Sequence, residues 1–267
     1  MTLSSKISMP GLLRRAVRFL LPVECAACHT PLAADPIPYF CSGCWNTIAP
    51  PSPSRCARCD CPFVSPLATT HSPLHVCQSC HERPPSYTKA WTLYPYRPPL
   101  QDAICLFKYG GKVSLAEPLA RLMIDRLPPM DAIDLIIPVP LHAERLRERE
   151  FNQSLLLADR IGRHLHIPVS CTALIRIASA PPQTTLSRKE RLKNLRGAFV
   201  VPRPKSIAGK RILLIDDVLT TGTTVNVCAK TLRKAGSGHV FVLTLGRTVD
   251  ASHMPDRIFA QRKLHLR

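Results

Sequence analysis

Residues Ile212–Thr224 read ILLIDDVLTTGTT: an apolar strand, two carboxylates, a short turn of Thr and Gly, and the start of a helix. Such a turn offers backbone N–H groups and hydroxyls at a helix N-terminus, which together bind an anion. Gly222 lets the backbone approach that anion closely. The carboxylates of Asp216 and Asp217 would repel a phosphate, so they suit hydroxyl groups nearby. A phosphate beside a pair of hydroxyls describes a ribose 5-phosphate.

Apolar runs and helical stripes on both sides of this segment predict an open α/β sheet. Ile133–Val139, Arg211–Ile215 and His239–Leu245 are short runs with β-branched residues, as expected for buried parallel strands. Between them lie three helical apolar stripes, formed by Leu115, Leu119, Leu122 and Met123, by Leu157, Ala158, Ile161 and Leu165, and by Val225, Cys228, Ala229 and Leu232. Alternating strands and helices favour a mostly parallel sheet with helices on both faces, which binds ligands at the carboxyl ends of its strands.

The cysteines predict a separate metal-binding module. Nine of the twelve lie between positions 25 and 80, and eight of these form four C-x-x-C pairs. Two intervening residues let a turn aim both thiolates at one ion, and two such pairs complete a tetrahedral Cys₄ zinc site. We expect two structural zinc ions, whose binding supplies folding energy to a module with little core. The predicted ligands are Cys25, Cys28, Cys41, Cys44, Cys56, Cys59, Cys77 and Cys80.

The spacing leaves the pairing of these cysteines open. Sequential pairing gives two zinc ribbons, and interleaved pairing fits the spacing as well. Redox use of C-x-x-C is an alternative, but four copies in a proline-rich stretch favour metal. Four nearby residues are predicted not to be ligands: Cys61, His71, His75 and His81.

Positive charge is concentrated outside the cysteine-rich part. Residues 85–267 hold 29 basic and 14 acidic residues, a net +15, whereas residues 1–84 hold 7 and 4, a net +3. The densest stretch is Leu186–Arg211, with nine basic residues. Such a patch suits the phosphates of a nucleic acid or of a small phosphorylated substrate, and a solvated basic face is the alternative.

Length and the N-terminal residues bound the remaining possibilities. The 267 residues suggest about two domains. Leu12–Leu21 predicts a short amphipathic helix without the apolar core or cleavage site of a secretion signal. No run reaches the roughly 18 apolar residues of a membrane-spanning helix. Paired cysteines in a chain without a secretion signal favour a cytoplasmic metal-binding protein.

The Ile212–Thr224 segment resembles the signature of type I phosphoribosyltransferases, which bind phosphoribosyl pyrophosphate (PRPP). The resemblance implies that Asp216 and Asp217 hold the ribose 2- and 3-hydroxyls. It also implies that the following turn holds the 5-phosphate, through Thr220, Thr221, Gly222, Thr223 and Thr224.

Further stretches resemble the ComF (competence protein F) family over roughly Pro22–Leu245. They are PVPLHAERLREREFNQS at Pro138–Ser154, QTTLSRKERLKNLRGAF at Gln183–Phe199, the four cysteine pairs, and Phe107-Lys108-Tyr109. The chain departs from the family pattern at three places: Glu150 replaces a Gly, Asp60-Cys61 replaces a Gly-containing pair, and Gly110-Gly111 gives a looser turn.

The resemblance also implies two loops and a divalent cation around the ribose site. The loop after the first sheet strand, Val139-Pro140-Leu141-His142, would hold pyrophosphate, with Mg²⁺ bridging pyrophosphate and ribose hydroxyls. A mobile basic loop at about Pro181–Arg196 would close over the leaving group. Its candidate residues are Arg188, Arg191, Lys193 and Arg196. His142 is a candidate general base, with a solvated loop histidine as the alternative, and Lys108 is a candidate contact to pyrophosphate or DNA.

These observations imply four segments: an N-terminal helix at 1–21, a double zinc ribbon at 22–84, a phosphoribosyltransferase-like domain at 85–250, and a basic tail at 251–267. The expected function is PRPP binding with Mg²⁺ in DNA uptake, with phosphoribosyl transfer to an unknown acceptor. The alternative is a non-catalytic competence factor that binds single-stranded DNA, and other DNA-uptake proteins are candidate partners. Aromatic residues between Tyr87 and Tyr109 lie among basic ones, as in single-strand platforms, or form a buried hairpin.

Overall fold

The computed structural model describes residues 23–32, 35–51, 54–63, 75–130, 132–177 and 197–248. The helices are α1 (Ser42–Trp45), α2 (Gln78–Glu82), α3 (Leu100–Tyr109), α4 (Ala116–Ile124), α5 (Ala143–Arg149), α6 (Gln153–Leu165) and α7 (Thr223–Lys234). The strands are β1 (Lys89–Pro95), β2 (Leu135–Pro138), β3 (Ile175–Arg176), β4 (Phe199–Val200), β5 (Ile212–Leu219) and β6 (Val240–Arg247). The predicted N-terminal helix and basic tail lie outside the described residues. Among the helices in these ranges, none has the length and apolar character to cross a membrane.

Four parallel strands form the central sheet in the order β1-β6-β5-β2, which confirms the predicted open α/β architecture. β5 is flanked on both sides, and Ile212–Ile215 are buried throughout. A strand covered on both faces needs apolar side chains in both orientations, which explains this unbroken apolar run. The short strands β3 and β4 form a separate two-stranded antiparallel sheet.

The segment that carries Trp91 and Tyr94 is a sheet strand rather than a hairpin arm. β1 pairs in parallel with β6, so its partner lies about 150 residues later in the chain. Tyr87, Tyr94 and Phe107 are buried, whereas Tyr109 is 72% exposed. The aromatic residues therefore do not form one continuous exposed platform.

The helices cover both faces of the sheet because alternate side chains of β5 point in opposite directions. Leu213 and Ile215 pack into a cluster with α3, α4 and α6, while Ile212 and Leu214 pack into a second cluster with α7. All four residues of the stripe predicted on α7 are buried. The acid pair and the turn that follows β5 thus emerge from a rigid core.

The N-terminal region contains two similar cysteine-bearing turns. Cys25 N donates to Thr30 O at 2.9 Å, and Cys56 N donates to Cys61 O at 2.9 Å. Each turn is followed by a short helix whose N-cap and first turn carry the other cysteine pair. The first ribbon comprises the turn at Cys25 and α1, and the second ribbon comprises the turn at Cys56 and α2. The two ribbons therefore repeat one local design.

The second ribbon is attached to the free edge of β1. Ala90 N donates to Arg58 O at 2.8 Å, and Thr92 N donates to Asp60 Oδ2 at 2.6 Å. Arg55 Nη1 contacts the same carboxylate oxygen at 2.7 Å and also donates to Thr92 O at 2.8 Å. The ion pair between Arg55 and Asp60 is largely buried, so removing either partner would leave a buried charge unpaired. The pair therefore holds the second ribbon on β1.

Two of the three departures from the family pattern put a non-glycine residue in the left-handed backbone region. Glu150 has a φ of 64° and Asp60 a φ of 63°. Glycine adopts this conformation without steric cost, which explains its use in the family. In this chain the Asp60 carboxylate compensates through Thr92 and Arg55, whereas the exposed Glu150 has no comparable contact to the sheet among the described residues.

We expect Glu150→Gly to stabilise the protein by about 1 kcal/mol, because Gly removes the left-handed strain at the end of α5. The urea midpoint of unfolding measures this. Glu148→Gly is the matched control: it lies inside α5 and is also exposed, and it should destabilise by about 1 kcal/mol. Equal effects of the two substitutions would contradict the explanation.

Candidate functional site

The acid pair lies near the carboxyl end of β5, between α3 and α6. Ser154, in the first turn of α6, donates its hydroxyl to Asp216 Oδ1 at 2.9 Å. The backbone N–H of Asp217 donates to the same oxygen at 3.0 Å. Lys108, in the last turn of α3, contacts Asp217 Oδ1 through Nζ at 2.7 Å. Each carboxylate thus has its own partner, and the two are held side by side.

The environment of Asp216 disfavours its ionised form. Burial and, to a smaller extent, the neighbouring Asp217 charge raise the pKa of Asp216 to about 7, although Lys108 and the Ser154 hydrogen bond act in the opposite direction. Near neutral pH the carboxyl group therefore exchanges between the acid and the anion. With Lys108 opposite Asp217, the acid pair repels an incoming phosphate ester less than two free carboxylates would.

The raised pKa predicts a pH-dependent loss of stability. An ordinary Asp ionises near 3.8, so between about pH 4 and pH 7 the unfolded chain loses this proton before the folded chain does. The free energy of unfolding should fall across this interval and change no further on this account above it. Asp216→Asn, which cannot ionise, should lack this fall. Urea unfolding of both proteins from pH 5 to pH 8 measures the difference, and parallel pH profiles would refute it.

The turn after β5 presents the start of a 12-residue helix to solvent. Gly222 has a φ of 73° and precedes the first residue of α7. Thr221 Oγ1 and Thr223 Oγ1 lie 2.9 Å apart, and the first turn of α7 contains no acidic residue. The N–H groups of the first helical turn, the Thr hydroxyls and the positive end of the helix dipole thus lie at the same end of α7, which suits a phosphate.

The loop after β2 lies beside the start of α6. Asn152 donates its amide Nδ2 to Val139 O at 3.2 Å, which ties the loop to the residue that caps α6. His142 caps α5 by accepting from Glu144 N at 3.3 Å. Pro140 and Leu141 are half-buried between these two anchors. The structure therefore brings this loop and the acid pair together through α6.

Two polar contacts at the site were not assigned from the sequence. The FNQS stretch carried a family resemblance, but no role for Ser154 or Asn152 was inferred from it. Lys108 was predicted to meet pyrophosphate or DNA, whereas in this structure it contacts Asp217. Only the side-by-side placement of α3, β5 and α6 shows the contacts of Ser154 and Lys108, because each lies 62 or more positions from its Asp partner in the chain.

The predicted flexible loop falls outside the described residues. This applies to Arg188, Arg191, Lys193 and Arg196, and their assignment stays a prediction. His71 also lies outside the described residues.

The eight cysteines predicted as ligands form two groups of four, paired in sequence. Within each group one sulfur from every residue lies within 4.8 Å of the others. The groups are Cys25, Cys28, Cys41 and Cys44, and Cys56, Cys59, Cys77 and Cys80. Interleaved pairing is thereby excluded. Neither group includes Cys61, His75 or His81 among the described residues, and their assignment as non-ligands stays a prediction.

The geometry of both groups fits zinc. Cys28 Sγ and Cys41 Sγ are 3.7 Å apart, as are Cys59 Sγ and Cys77 Sγ. A tetrahedral site with zinc–sulfur bonds of about 2.3 Å has sulfur–sulfur edges of about 3.8 Å. Backbone N–H groups also point at the sulfurs: Cys77 N donates to Cys56 Sγ at 3.2 Å. Such donors stabilise thiolates, the form that binds metal.

The second cysteine group lies next to the phosphate-type turn. Cys59 packs against the cluster that contains Tyr87, Leu219 and Val225. The buried Tyr87 hydroxyl lies 3.9 Å from the position that a Cβ at Gly222 would occupy. The residue before Tyr87 is held to α7, because Ser86 N donates to Asn226 Oδ1 at 2.6 Å. The second ribbon and the residues that follow it therefore pack against the turn at Gly222 and the start of α7.

Comparison with known proteins relates the chain to phosphoribosyltransferases and competence proteins. Residues 152–253 match the phosphoribosyl transferase domain family. The chain is 34% identical over 238 residues to the DNA utilization protein YhgH of Escherichia coli O6:H1, covering 86% of this chain and 99% of that protein. It is 34% identical over 178 residues to Competence protein F of Haemophilus influenzae, covering 64% and 78%. Competence protein ComFC of Bacillus subtilis is 30% identical over 147 residues, covering 54% and 58%.

Similar solved structures include a glutamine PRPP amidotransferase from Bacillus subtilis and the adenine phosphoribosyltransferase of Leishmania tarentolae. The first is 20% identical, with a TM-score of 0.33, and the match covers 52% of this chain and 26% of that one. The second is 15% identical, with a TM-score of 0.34, and the match covers 56% and 77%.

Proposed function

Because the chain belongs to the ComF family, with a phosphoribosyltransferase domain and two Cys₄ groups, we propose that it binds PRPP with Mg²⁺ at the end of β5. The observation that carries the proposal is the position of the acid pair beside the anion-binding turn at the start of α7. Asp216 and Asp217 would accept hydrogen bonds from the ribose hydroxyls. The turn Thr220–Thr224 would donate to the 5-phosphate.

Other residues of the chain would orient the ligand and control its protons. Ser154 holds the Asp216 carboxyl group in place, and Lys108 holds Asp217. The Val139–His142 loop would bind pyrophosphate, with Arg188, Arg191 and Lys193 closing over it. The oxygen donors at this site are of the kind that Mg²⁺ prefers. The chemistry that Mg²⁺ supplies when bound is neutralisation of the pyrophosphate charge.

The proposed reaction class is displacement of pyrophosphate at the anomeric carbon of the ribose. Closure of the basic loop would exclude water from the site. A pyrophosphate-release assay over candidate acceptors separates this enzyme from the alternative, a competence factor that uses PRPP only as a regulator.

Calorimetric titration of the purified chain tests the binding proposal. PRPP should bind more tightly than ribose 5-phosphate, and ribose 5-phosphate more tightly than inorganic phosphate, because each adds a group with its own partner at the site. Adding Mg²⁺ should increase the affinity for PRPP more than the affinity for the other two ligands. Equal affinities for all three ligands would refute the proposal.

We also propose structural zinc in both Cys₄ groups and a role in DNA uptake, with other uptake proteins as partners and the cytoplasm as the location. Four thiolates leave no open coordination position, so these ions would hold structure without chemistry. The DNA role is supported by the names of the relatives and by the net +15 of residues 85–267.

Binding to single-stranded DNA should depend strongly on salt. Lys and Arg side chains that contact phosphates release counterions, so affinity should fall as salt rises. Fluorescence anisotropy with an oligothymidylate measures this. Replacing Arg188, Lys189, Arg191 and Lys193 by Ala should weaken binding and reduce the slope. Replacing four basic residues elsewhere in the chain (Arg121, Arg126, Arg163 and Lys234) is the charge-matched control, and equal losses would refute a role for the loop.

A further inference from the structure

Tyr109 is the most exposed large hydrophobic or aromatic side chain among the described residues, at 72%. It lies at the end of α3, directly after Lys108, whose Nζ contacts the acid pair at 2.7 Å. Aromatic rings are usually buried because their hydration is unfavourable. A ring left in solvent beside a ligand site is therefore a candidate contact for the ligand.

One face of this ring is already covered by a cation. The Arg149 guanidinium lies 4.7 Å from the ring centroid of Tyr109, at the end of α5. Its Nη1 donates to Gln153 Oε1 at 3.3 Å, so the guanidinium is held from the far side. A ring fixed in this way loses little entropy when a second planar group stacks on its free face.

Gln153, which accepts the hydrogen bond from Arg149, also carries a donor without a partner in the described part of the chain. Gln153 is 1% exposed, and its amide Nε2 has no hydrogen-bond partner. Since Oε1 accepts from Arg149, the nitrogen is the atom left unpaired. Gln153 precedes Ser154, which bonds to Asp216. The first turn of α6, which also holds Asp216 through Ser154, thus carries a polar donor whose hydrogen bonding is incomplete among the described residues.

Two apolar side chains of the same segments are also exposed. Leu146 is 42% exposed and lies one turn before Arg149 on α5. Val113 is 43% exposed and follows Tyr109 after a short turn. The free face of the Tyr109 ring suits an uncharged planar ring rather than another phosphate.

We propose that Tyr109, backed by Arg149, stacks on the nucleobase of a nucleotide whose ribose phosphate binds at Asp216, Asp217 and the Thr220–Thr224 turn. This rests on the proposed function and extends it from the sugar phosphate to the base. Because every nucleobase has a π-face, the stack selects a planar base without strong preference among the four. The base belongs either to a free nucleotide or to a strand of nucleic acid.

Calorimetry with paired ligands tests the proposal. Ribose 5-phosphate is titrated as the ligand without a base, and the four ribonucleoside 5′-monophosphates as ligands with one. In the wild type the nucleotides should bind more tightly than ribose 5-phosphate. Tyr109→Ala should weaken the nucleotides about tenfold and leave ribose 5-phosphate unchanged. Tyr109→Phe should bind like the wild type, and Val23→Ala is the control for an exposed apolar side chain in the cysteine-bearing region.

The outcomes are distinguishable. If Tyr109→Ala leaves nucleotide binding unchanged, or weakens ribose 5-phosphate equally, the stacking proposal is wrong while the sugar-phosphate site stands. If the wild type binds neither ribose 5-phosphate nor PRPP, the proposed function fails and this proposal with it. Titration with an oligouridylate, whose 3′-terminal ribose keeps both hydroxyls, identifies the source of the base: a loss shared with the nucleotides assigns a strand, and a loss limited to the nucleotides assigns free nucleotides.

Discussion

The double substitution Asp216→Ala, Asp217→Ala should weaken PRPP binding by about a hundredfold or more. Each charge-assisted hydrogen bond to a ribose hydroxyl contributes roughly 1.5–3 kcal/mol, and about 1.4 kcal/mol corresponds to a factor of ten. Inorganic phosphate should be affected far less, because it needs only the turn at Thr220–Thr224. Calorimetry with both ligands measures the contrast.

Two further variants protect this result against indirect effects. Removing both carboxylates frees Lys108 from its partner, and a free cation would attract any phosphate. Asp216→Asn with Asp217→Asn keeps the shape of the side chains and should still lose most PRPP affinity. Asp134→Ala removes a carboxylate that contacts Arg211 at the opposite end of the sheet, and it should leave PRPP unaffected. Tight PRPP binding by the Ala double variant would refute the site assignment.

Cys77→Ser should remove one of two zinc ions and unfold the second ribbon. Cys59 Sγ and Cys77 Sγ lie 3.7 Å apart, so the serine leaves an incomplete set of three thiolates. Structural zinc contributes about 10–16 kcal/mol of apparent binding free energy in small fingers, more than such a module gains from its core. Elemental analysis and limited proteolysis measure the loss.

The same change should also weaken PRPP, because Tyr87 lies between Cys59 and the turn at Gly222. Cys61→Ser is the matched control, since Cys61 follows the same turn but stands outside the four-sulfur group. It should keep two zinc ions and full PRPP affinity. Loss of zinc in both variants, or in neither, would contradict the assignment of ligands.

Some features could be predicted because their signal is local. The strand–acid–turn pattern at Ile212–Thr224 and the C-x-x-C pairs each depend on residues close in sequence. The pairing of the cysteines could not be predicted, because the gaps between the C-x-x-C pairs fit both the sequential and the interleaved arrangement. Only the folded structure excludes the interleaved one. β1 was missed as a sheet strand, because its sequence KAWTLYP mixes polar and aromatic residues and is not a continuous apolar run.

Contacts between distant segments account for the other differences. The partners of Asp216 and Asp217 come from α6 and α3, and no spacing rule links Ser154 or Lys108 to the acid pair. The departures at Glu150 and Asp60 were visible in the sequence, but their left-handed backbone was not. Asp60 illustrates the reason: its backbone is strained locally, and the compensating contacts come from Thr92 and Arg55.

The attachment of the second ribbon to β1 also bears on how the protein behaves when metal is scarce. β1 is the outermost strand of the sheet, and its backbone N–H groups at Ala90 and Thr92 are satisfied by Arg58 and Asp60. An uncovered edge strand offers its hydrogen bonds to any other extended chain, including another copy of the same protein. Zinc would thus protect against aggregation, and chelation should turn a monodisperse preparation into assemblies joined edge to edge.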